Sequence, residues 1–207
     1  YPDIDAQNFE FVPDRGVTYC EASYYKNNKS IFVFKDNQPV VVPNADPKTF
    51  EPYYDAGHGL FKDKDSLFTN EDCEDIFHEV KNIDIDSFKY IDNPHEVHVG
   101  KDKQYVFVGQ DEITILPDAD PTTFELIKVD RVAYYAKDKN HVYYATKKNF
   151  QPSILVGADP QTFQIHRVGE KYYYGSDNDD VWFYDNDSDV VEKIEGANPQ
   201  TFNFEQH

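Results

Sequence analysis

Short apolar clusters alternate with polar turns along the whole chain, and the clusters have the length of β-strands. In the stretch 125–163 they lie at 126–129, 132–136, 142–145 and 154–156. Their Val, Ile, Leu and Tyr residues suit a pleated, half-buried surface, and the polar segment 137–140 is typical of a hairpin turn. The pattern therefore predicts four short antiparallel strands joined as a β-meander.

The same hairpin pattern recurs elsewhere in the chain, at 24–32, 60–68, 101–107 and 173–183. Adjacent residues of a strand point to opposite faces of the sheet, so Tyr134 and Tyr135 must lie on different faces. Both faces of such a sheet are then apolar. This is the pattern of sheets that stack on one another, as in repeat arrays and propeller blades.

A phenylalanine marks the end of each repeat at intervals of 41, 38, 36, 39 and 39 residues, at Phe9, Phe50, Phe88, Phe124, Phe163 and Phe202. Four of them close the hexapeptide Ala-Asp/Asn-Pro-x-Thr-Phe, and eroded copies occupy 4–9 and 83–88. A period of this size indicates tandem units that depend on their neighbours for a core. We predict one repeat domain over 1–207 with units at approximately 10–50, 51–88, 89–124, 125–163 and 164–202.

Two architectures fit these all-β units of about 39 residues: an open curved array, and as the alternative a closed five-bladed propeller. The phenylalanine corner is followed by apolar residues at both ends of the chain, at Phe11 and at Phe204. This gives six first strands for five hairpins. The surplus strand favours the open array.

The hexapeptide is interpreted as a structural corner. An Asp or Asn before proline is kept out of the helical region, and its side-chain oxygen is free to accept backbone N–H groups two or three residues on. The proline then begins one helical turn, which fixes the Thr and Phe that follow. The residues assigned to this motif are Asp46, Pro47, Phe50, Asp120, Pro121, Phe124, Asp159, Pro160, Phe163, Asn198, Pro199 and Phe202.

Two motifs together, Tyr-Tyr-x-Lys-Asp-Lys-Asn-x-Val-Tyr-Tyr at 134–144 and Gly-Ala-Asp-Pro-x-Thr-Phe at 157–163, resemble the DKNYY family of bacterial repeat proteins. The resemblance is strongest over 117–163 and weaker in the other units, where for example Asn27 and Asn28 replace a Lys-Asp pair. It implies a bacterial origin and often export. It implies no defined activity and no catalytic residues.

The charge is strongly acidic, with 39 Asp and Glu against 20 Lys and Arg for a net charge of −19. Such a chain repels nucleic-acid phosphates and anionic lipid and attracts cationic partners, so we expect a basic protein as partner and no nucleic acid. No apolar run is long enough for a membrane span. Aromatic residues make up 16 % of the chain, which favours a folded domain over an acidic disordered segment.

Cysteine and methionine usage bears on location. Cys20 and Cys73 fall in different columns of the repeat, and a disulfide or two buried thiols are both open interpretations. The sequence contains no methionine, which indicates a processed or trimmed product. We expect export to the periplasm or cell surface, with a cytoplasmic location also open.

Two clusters have metal-ligand chemistry, but neither has a convincing spacing. His95 and His98 are three residues apart and would face opposite sides of a strand. Asp185, Asp187 and Asp189 begin like a calcium loop but lack its glycine and its terminal glutamate. These aspartates are weak calcium candidates, solvated turns are the favoured interpretation, and we predict no metal and no cofactor.

The sequence contains none of the motifs that mark a nucleophile elbow, a phosphate loop or a metalloprotease helix, so we expect no enzyme. The first hypothesis is a non-catalytic protein-binding repeat module, in its sharpest form an acidic, immunity-type neutraliser of a basic partner. The alternative is an envelope structural, adhesive or glycan-binding protein with exposed tyrosines. A third hypothesis is an enzyme on a propeller-like scaffold with a central pocket. Oligomeric state is left open.

Overall fold

The computed structural model describes residues 8–12, 24–35, 38–53, 59–70, 77–91, 97–109, 112–129, 133–146, 151–168, 172–185 and 190–204. The chain divides into two compact units, Tyr1–Ile115 and Leu116–His207. The single repeat domain over 1–207 stays a prediction.

The first unit contains three four-stranded antiparallel meanders in which neighbouring strands follow one another in sequence. The first sheet consists of β1 (Glu10–Val12), β2 (Tyr24–Lys26), β3 (Ile31–Lys35) and β4 (Gln38–Val41). The second consists of β5 (Glu51–Pro52), β6 (Leu60–Lys62), β7 (Leu67–Asn70) and β8 (Phe77–Val80). The third consists of β9 (Lys89–Ile91), β10 (His98–Lys101), β11 (Val106–Gly109) and β12 (Thr114–Ile115).

The second unit contains two sheets of the same topology. The fourth sheet consists of β13 (Glu125–Val129), β14 (Ala133–Lys137), β15 (Val142–Thr146) and β16 (Ser153–Ile154). The fifth consists of β17 (Gln164–Val168), β18 (Tyr172–Ser176), β19 (Val181–Asp185) and β20 (Val190–Lys193). The predicted all-β fold of five tandem meander repeats is confirmed, while the open array and the propeller both remain predictions.

Two predicted strands differ from the structure. The cluster 154–156 was expected to be a strand throughout, but β16 ends at Ile154 and Val156 lies in the following turn with 82 % of its surface exposed. The apolar residues after Phe202 were expected to begin a sixth first strand. Within the described residues, Asn203 and Phe204 form no strand, and the Phe204 ring stacks on the His166 ring instead, with centroids 3.9 Å apart.

Sheets pack face to face within each unit, and the alternation of side chains along the strands decides which residue enters which core. In the first unit, Phe61 and Phe68 of the second sheet join Tyr24, Ile31 and Val33 of the first. The intervening residues Leu60 and Leu67 point to the opposite face and pack with Phe107 of the third sheet. In the second unit, Tyr135 and Val142 pack with Phe163 and Trp182. The expectation that adjacent residues serve two cores is confirmed.

Four corner phenylalanines, Phe9, Phe50, Phe88 and Phe163, lie over the second strand of the sheet that follows them. In two repeats the strand carries a glycine at this point, and a Cβ there would overlap the ring, at 2.4 Å for Gly100 against Phe88 and 2.5 Å for Gly175 against Phe163. Phe50 instead meets an aromatic residue and stacks on Phe61, with centroids 5.4 Å apart. The corner ring is therefore part of the core, as the repeat pattern predicts.

A residue with positive φ precedes every corner motif after the first, and it turns the chain from the fourth strand into the corner. These residues are Asn44, Asn82, Asp118, Gly157 and Gly196, with φ between 60° and 87°. Glycine takes this conformation without strain, and Asn and Asp tolerate it better than other residues do. The residue types at this position follow directly from the backbone.

Candidate functional site

A buried aspartate in the hairpin turn organises each repeat. Asp63, Asp102, Asp138 and Asp177 occupy this position and are 3 to 7 % exposed, and Asn27 is its counterpart in the first repeat. One carboxylate oxygen, Oδ1, accepts the backbone N–H groups two and three residues on, at 2.7 to 2.9 Å. These bonds close the turn between the second and third strands.

The other oxygen of the turn aspartate, Oδ2, binds the corner motif. It accepts the backbone N–H of the corner aspartate at 2.8 to 2.9 Å in the pairs Asp46–Asp63, Asp84–Asp102, Asp120–Asp138 and Asp159–Asp177. A single carboxylate thus joins two segments 17 or 18 residues apart. We call this arrangement, with the lysine and hydroxyl contacts described next, the corner–hairpin clasp.

The corner side chains complete the clasp in two ways. The Thr or Ser of the corner accepts the N–H of the residue after the turn aspartate, at 3.1 to 3.4 Å in the four repeats. Where that residue is a lysine, its ammonium group pairs with the corner carboxylate, as Lys103 does with Asp84 and Lys139 with Asp120. The Lys139 side chain holds the pKa of the Asp120 carboxyl well below its usual range.

The corner aspartates and Asn198 also cap their own turn, by the geometry that the sequence predicts. Asp46 Oδ1 accepts the Lys48 N–H at 3.1 Å, Asp159 Oδ1 the Gln161 N–H at 2.9 Å, and Asn198 Oδ1 the Gln200 N–H at 2.9 Å. The helical turn itself is closed by N–H groups of Phe50, Phe124, Phe163 and Phe202, each of which donates to the carbonyl of its corner Asp or Asn. All these interactions hold the fold together.

Asp138, Tyr143 and His141 form a cluster with the composition of an acid–base site. Tyr143 donates its hydroxyl hydrogen to Asp138 Oδ2 at 2.9 Å, and His141 Nδ1 lies 3.3 Å from that hydroxyl oxygen. Burial raises the pKa of the Asp138 carboxyl, but bonds from three backbone N–H groups and Tyr143 outweigh it and leave the pKa lowered. Burial and the Asp138 carboxylate raise the pKa of Tyr143. Both shifts oppose proton transfer from Tyr143 to Asp138 near neutral pH.

Among the described residues, no group of three or more His, Cys, Asp or Glu could hold a metal ion. Asp185 ends β19, while Asp187 and Asp189 lie outside the described residues. His98 Nδ1 lies 3.3 Å from the Tyr90 hydroxyl oxygen, and His95 is outside the described residues. So are Cys20 and Cys73, so the thiol and disulfide interpretations stay predictions. The prediction of no metal, with these aspartates as weak calcium candidates, stays a prediction as well.

An open groove of about 550 Å³ lies in the first unit, beside the first strands of the first two sheets. Its apolar wall includes Phe11 and Phe50, and its charged residues have both signs, with Lys26 and Lys48 next to Glu10 and Glu51. Glu51 forms an ion pair with Lys62 at 3.3 Å. The groove therefore offers mixed charge and not a concentrated acidic or basic site.

Aromatic side chains lie on the face of the first sheet opposite to the one that packs on the second sheet, and Phe32 in this face is 1 % exposed. We define the first-sheet aromatic face by Phe9, Phe11, Tyr25, Phe32 and Phe34. Phe11 and Phe34 are exposed, and so is Val41, which pairs in register with Phe32. The other face of this sheet is the one that packs on the second sheet.

The lysines at and beside the hairpins are largely neutralised by ion pairs. Within the described residues, ion pairs with Asp or Glu are formed by Lys62, Lys64, Lys81, Lys103, Lys137, Lys139 and Lys193. Each pair also neutralises a carboxylate, so the formal net charge of the chain stays at −19.

Sequence reasoning identified the corner aspartates but missed the turn aspartates, which make more hydrogen bonds. The available signal was an Asp or Asn in the hairpin of every unit, 17 or 18 residues after the corner Asp wherever both are described. It also missed the first-sheet aromatic face. Its signal was the sequence Ile-Phe-Val-Phe in β3, with phenylalanine at alternate positions.

The model of the DKNYY family matches residues 74–205, which is more than half of the chain. The chain belongs to the DKNYY family. The resemblance noted from the tyrosine pairs and the hexapeptide is thereby confirmed. No match to a curated protein was found for this DKNYY chain.

Among solved structures, this DKNYY chain is similar to the crystal structure of the extracellular domain of a putative one-component system from B. thetaiotaomicron. The identity is 11 % and the TM-score 0.25, and the match covers 94 % of this chain. The chain spans 29 % of the length of that structure. In the described part of the DKNYY chain, no helix has the length and apolarity required to traverse a bilayer.

Proposed function

We propose that this chain is a non-catalytic repeat module that binds a basic protein. The observation that carries the proposal is electrostatic: the net charge is −19, and many of the lysines are engaged in ion pairs within the chain. An extended acidic surface steers a basic partner to it and raises the rate of association. In its finer form the partner is a basic toxin or enzyme that the module neutralises.

The polar residues of both repeat motifs support a binding role over a catalytic one. The turn aspartates, the corner aspartates and the hairpin lysines bond to one another or to backbone N–H groups of the clasp. A general acid or base must be able to exchange a proton with a substrate. A carboxylate that is buried and accepts several N–H groups, as Asp138 does, is a poor candidate.

The alternative of a glycan-binding surface built from exposed tyrosines receives less support. The tyrosines that repeat in the second and third strands are largely consumed by the cores, since Tyr24, Tyr135, Tyr143 and Tyr173 are each at most 2 % exposed. Export from a bacterial cell is part of the proposal, and the resemblance to a family whose members are often exported supports it. Fractionation of a producing bacterium with an antibody to the chain tests it directly.

The test of partner binding begins with capture, on the immobilised chain at low salt, of proteins with pI above about 9. A captured protein is then purified, and its Kd is measured by biolayer interferometry from about 50 to about 300 mM NaCl. We expect the Kd to rise at least tenfold over this range, because exposed charges are screened. A Kd that is independent of salt contradicts the proposal.

Two charge variants with opposite expected effects sharpen the experiment. One neutralises exposed acidic residues that have no role in a clasp, through Asp86→Asn, Glu112→Gln, Asp179→Asn and Glu195→Gln. It should weaken binding and flatten the dependence on salt. The matched variant, Lys29→Gln with Lys89→Gln, removes exposed positive charge and should strengthen binding. Equal affinity of both variants for the partner would rule out electrostatic recognition.

A further inference from the structure

The open groove in the first unit runs along the edge of a strand. All three residues of β1, Glu10, Phe11 and Val12, line it, although the side chains of consecutive strand residues point to opposite faces of a sheet. A groove that residues of both faces line lies beside the strand and not on one face of the sheet. Glu51 and Pro52 of β5 line the same groove.

Both strands are edges of their sheets. Within the described residues, β1 pairs only with β2 and β5 only with β6. The backbone on the open side of an edge strand can pair with one more strand, which an extended peptide can supply. Pro52 has no N–H to donate, so β5 is a poor edge for pairing. The strand in this groove that can add a neighbour is therefore β1.

A lysine beside this edge lacks the ion pair that its counterparts make. In the second repeat Lys62 pairs with Glu51 at 3.3 Å, directly across the two strands, and the fourth repeat has the same pair at 3.5 Å. Lys26 lies opposite Glu10 in the same register, but it forms no ion pair in the part of the chain that the structure describes. Its half-buried side chain therefore brings an unpaired ammonium group to the groove.

A second lysine in the groove is peculiar to this repeat. Lys48 is exposed and follows the proline of its corner. The later corners have at this position Asp86, Thr122, Gln161 and Gln200. Lys48 likewise has no ion pair among the described residues. Because Lys62 already neutralises Glu51, two ammonium groups remain in the groove against the single carboxylate of Glu10.

The groove also has an exposed apolar wall. Phe11 is 56 % exposed, and its ring meets Tyr25 edge-on with centroids 5.7 Å apart. Sites for small molecules enclose most of the ligand surface, which an open groove of about 550 Å³ does not do. An extended peptide needs no enclosure, because main-chain hydrogen bonds along a strand edge provide its affinity.

We propose that this groove binds an extended acidic segment of another protein, which pairs with β1 as an additional strand. Lys26 lies opposite Glu10 and shares its face of the sheet, whereas Phe11 belongs to the other face. Alternate acidic side chains of the added strand therefore contact Lys26, with Lys48 also in reach of the groove, and the apolar side chain between them lies on Phe11. The segment has the pattern apolar, acidic, apolar, acidic.

The charge of the whole chain opposes this binding. A net charge of −19 repels an acidic peptide and attracts a basic one. A preference for the acidic peptide can therefore come only from local contacts in the groove. The proposal does not depend on a basic protein partner, and the two proposals can fail independently.

Fluorescence anisotropy with labelled peptides tests the groove. The probe is Val-Glu-Phe-Glu-Val with both ends blocked, and its matched peptides have Gln or Lys in place of both Glu residues. We expect the acidic probe to bind with a Kd below about 1 mM in about 150 mM NaCl, and at least tenfold more tightly than the Lys peptide. Absence of binding, or a preference for the Lys peptide, overturns the proposal.

Two lysine variants separate the groove from the general charge of the chain. Lys26→Gln with Lys48→Gln should weaken binding of the acidic probe at least tenfold and should not weaken binding of a basic protein. The control Lys29→Gln with Lys89→Gln removes the same charge from exposed positions that do not line the groove, and should change the affinity for the probe by less than about threefold. Equal effects of the two variants refute recognition by the groove.

Strand pairing is tested with the unaltered protein, which removes any doubt about the folding of a variant. One form of the probe is N-methylated at both Glu residues and another at Phe and the terminal Val residues. Because an added strand pairs through alternate residues, at least one form should bind at least tenfold more weakly. Hydrogen exchange with saturating probe should slow in peptides that contain Glu10–Val12. Unchanged affinity of both methylated forms, or protection only in the second unit, contradicts pairing with β1.

Discussion

At the scale of single residues, the buried turn aspartate accepts several hydrogen bonds that join different parts of the repeat. Asp138 accepts hydrogen bonds from the N–H groups of Asp120, Asn140 and His141 and from the Tyr143 hydroxyl. A buried charge is costly unless its bonds are complete, so loss of one partner leaves a large penalty. The side chain should therefore contribute far more to stability than an exposed acidic residue.

Replacement of this aspartate separates its two roles. In Asp138→Asn the amide oxygen can keep the turn bonds, as Asn27 Oδ1 does in the first repeat at 2.8 and 2.9 Å. The amide NH₂ then faces the Asp120 N–H, two donors together, and we expect a loss of about 3 kcal/mol in the free energy of unfolding. Urea denaturation measures it. The control Asp179→Asn, at an exposed turn position, should change stability by less than about 0.5 kcal/mol, and equal effects of the two would contradict this role.

How far residues could be assigned from sequence depends on whether their partners are close in the chain. The caps made by Asp46 and Asp159 involve residues two positions away, and turn chemistry alone predicts them. The second oxygen of Asp138 binds a backbone group 18 residues distant, and no local rule specifies that bond. The tyrosine pairs predicted sheets that are apolar on both faces, because side chains alternate along a strand whatever packs against the sheet.

At the scale of elements, the turn into each corner depends on a left-handed residue. Gly157 has φ of +87° and a Cβ placed on it would meet no atom within 4 Å, so any cost of substitution there is conformational. Asp118 occupies the equivalent position with φ of 62°. The two positions therefore allow a substitution away from glycine and one toward glycine in the same kind of turn.

Gly157→Ala should lower the free energy of unfolding by about 1 kcal/mol, because an L side chain is strained at positive φ. Asp118→Gly should leave stability unchanged or raise it by a few tenths of a kcal/mol. Chemical denaturation of both variants measures the difference. A Gly157→Ala protein as stable as the wild type would mean that the turn adopts another conformation in solution.

We expect the stability of the second unit to depend on pH through His166, whose ring stacks on the Phe204 ring. His166 is partly buried, its Nε2 lies 2.9 Å from Ser176 Oγ, and burial lowers its pKa from the ordinary value of 6.5. The folded state then takes up a proton less readily than the unfolded chain does. The stability contribution is complete above about pH 6.5 and is lost as the pH falls through that value toward the folded pKa.

Thermal unfolding followed by Trp182 fluorescence between about pH 7.5 and 5 should reveal this loss. The Tm of the wild type should fall more steeply than that of His166→Gln, which has no proton to gain. If the Tm of His166→Gln and of the wild type fall equally with pH, His166 does not make the stability of the second unit depend on pH.

At the scale of the whole molecule, the chain divides into two compact units, Tyr1–Ile115 and Leu116–His207. The chain has one tryptophan, Trp182, and it lies in the core of Leu116–His207. Phe61 lies in a core of Tyr1–Ile115. Fluorescence and far-UV circular dichroism can therefore distinguish the unfolding of one unit from that of the other.

Phe61→Ala should cost the first unit about 3 to 5 kcal/mol, the usual penalty for the loss of a buried phenylalanine. In repeat proteins coupling is carried mainly by neighbours, so we expect two transitions in circular dichroism, with the Trp182 transition close to that of the wild type. A Trp182 transition that shifts by the full amount would instead show one cooperative domain, as the periodicity of the sequence predicts.

The clasp also has a consequence for how the repeats can be recombined. It ties the corner that begins at Asp120 to the hairpin at Asp138, so these two segments must be inherited or transplanted together. A shuffling boundary at Phe124 would separate the Asp138 carboxylate from its donor, the Asp120 N–H. In chimeras and consensus libraries of this family, repeats should be joined just ahead of the corner, at an exposed turn position such as Val156.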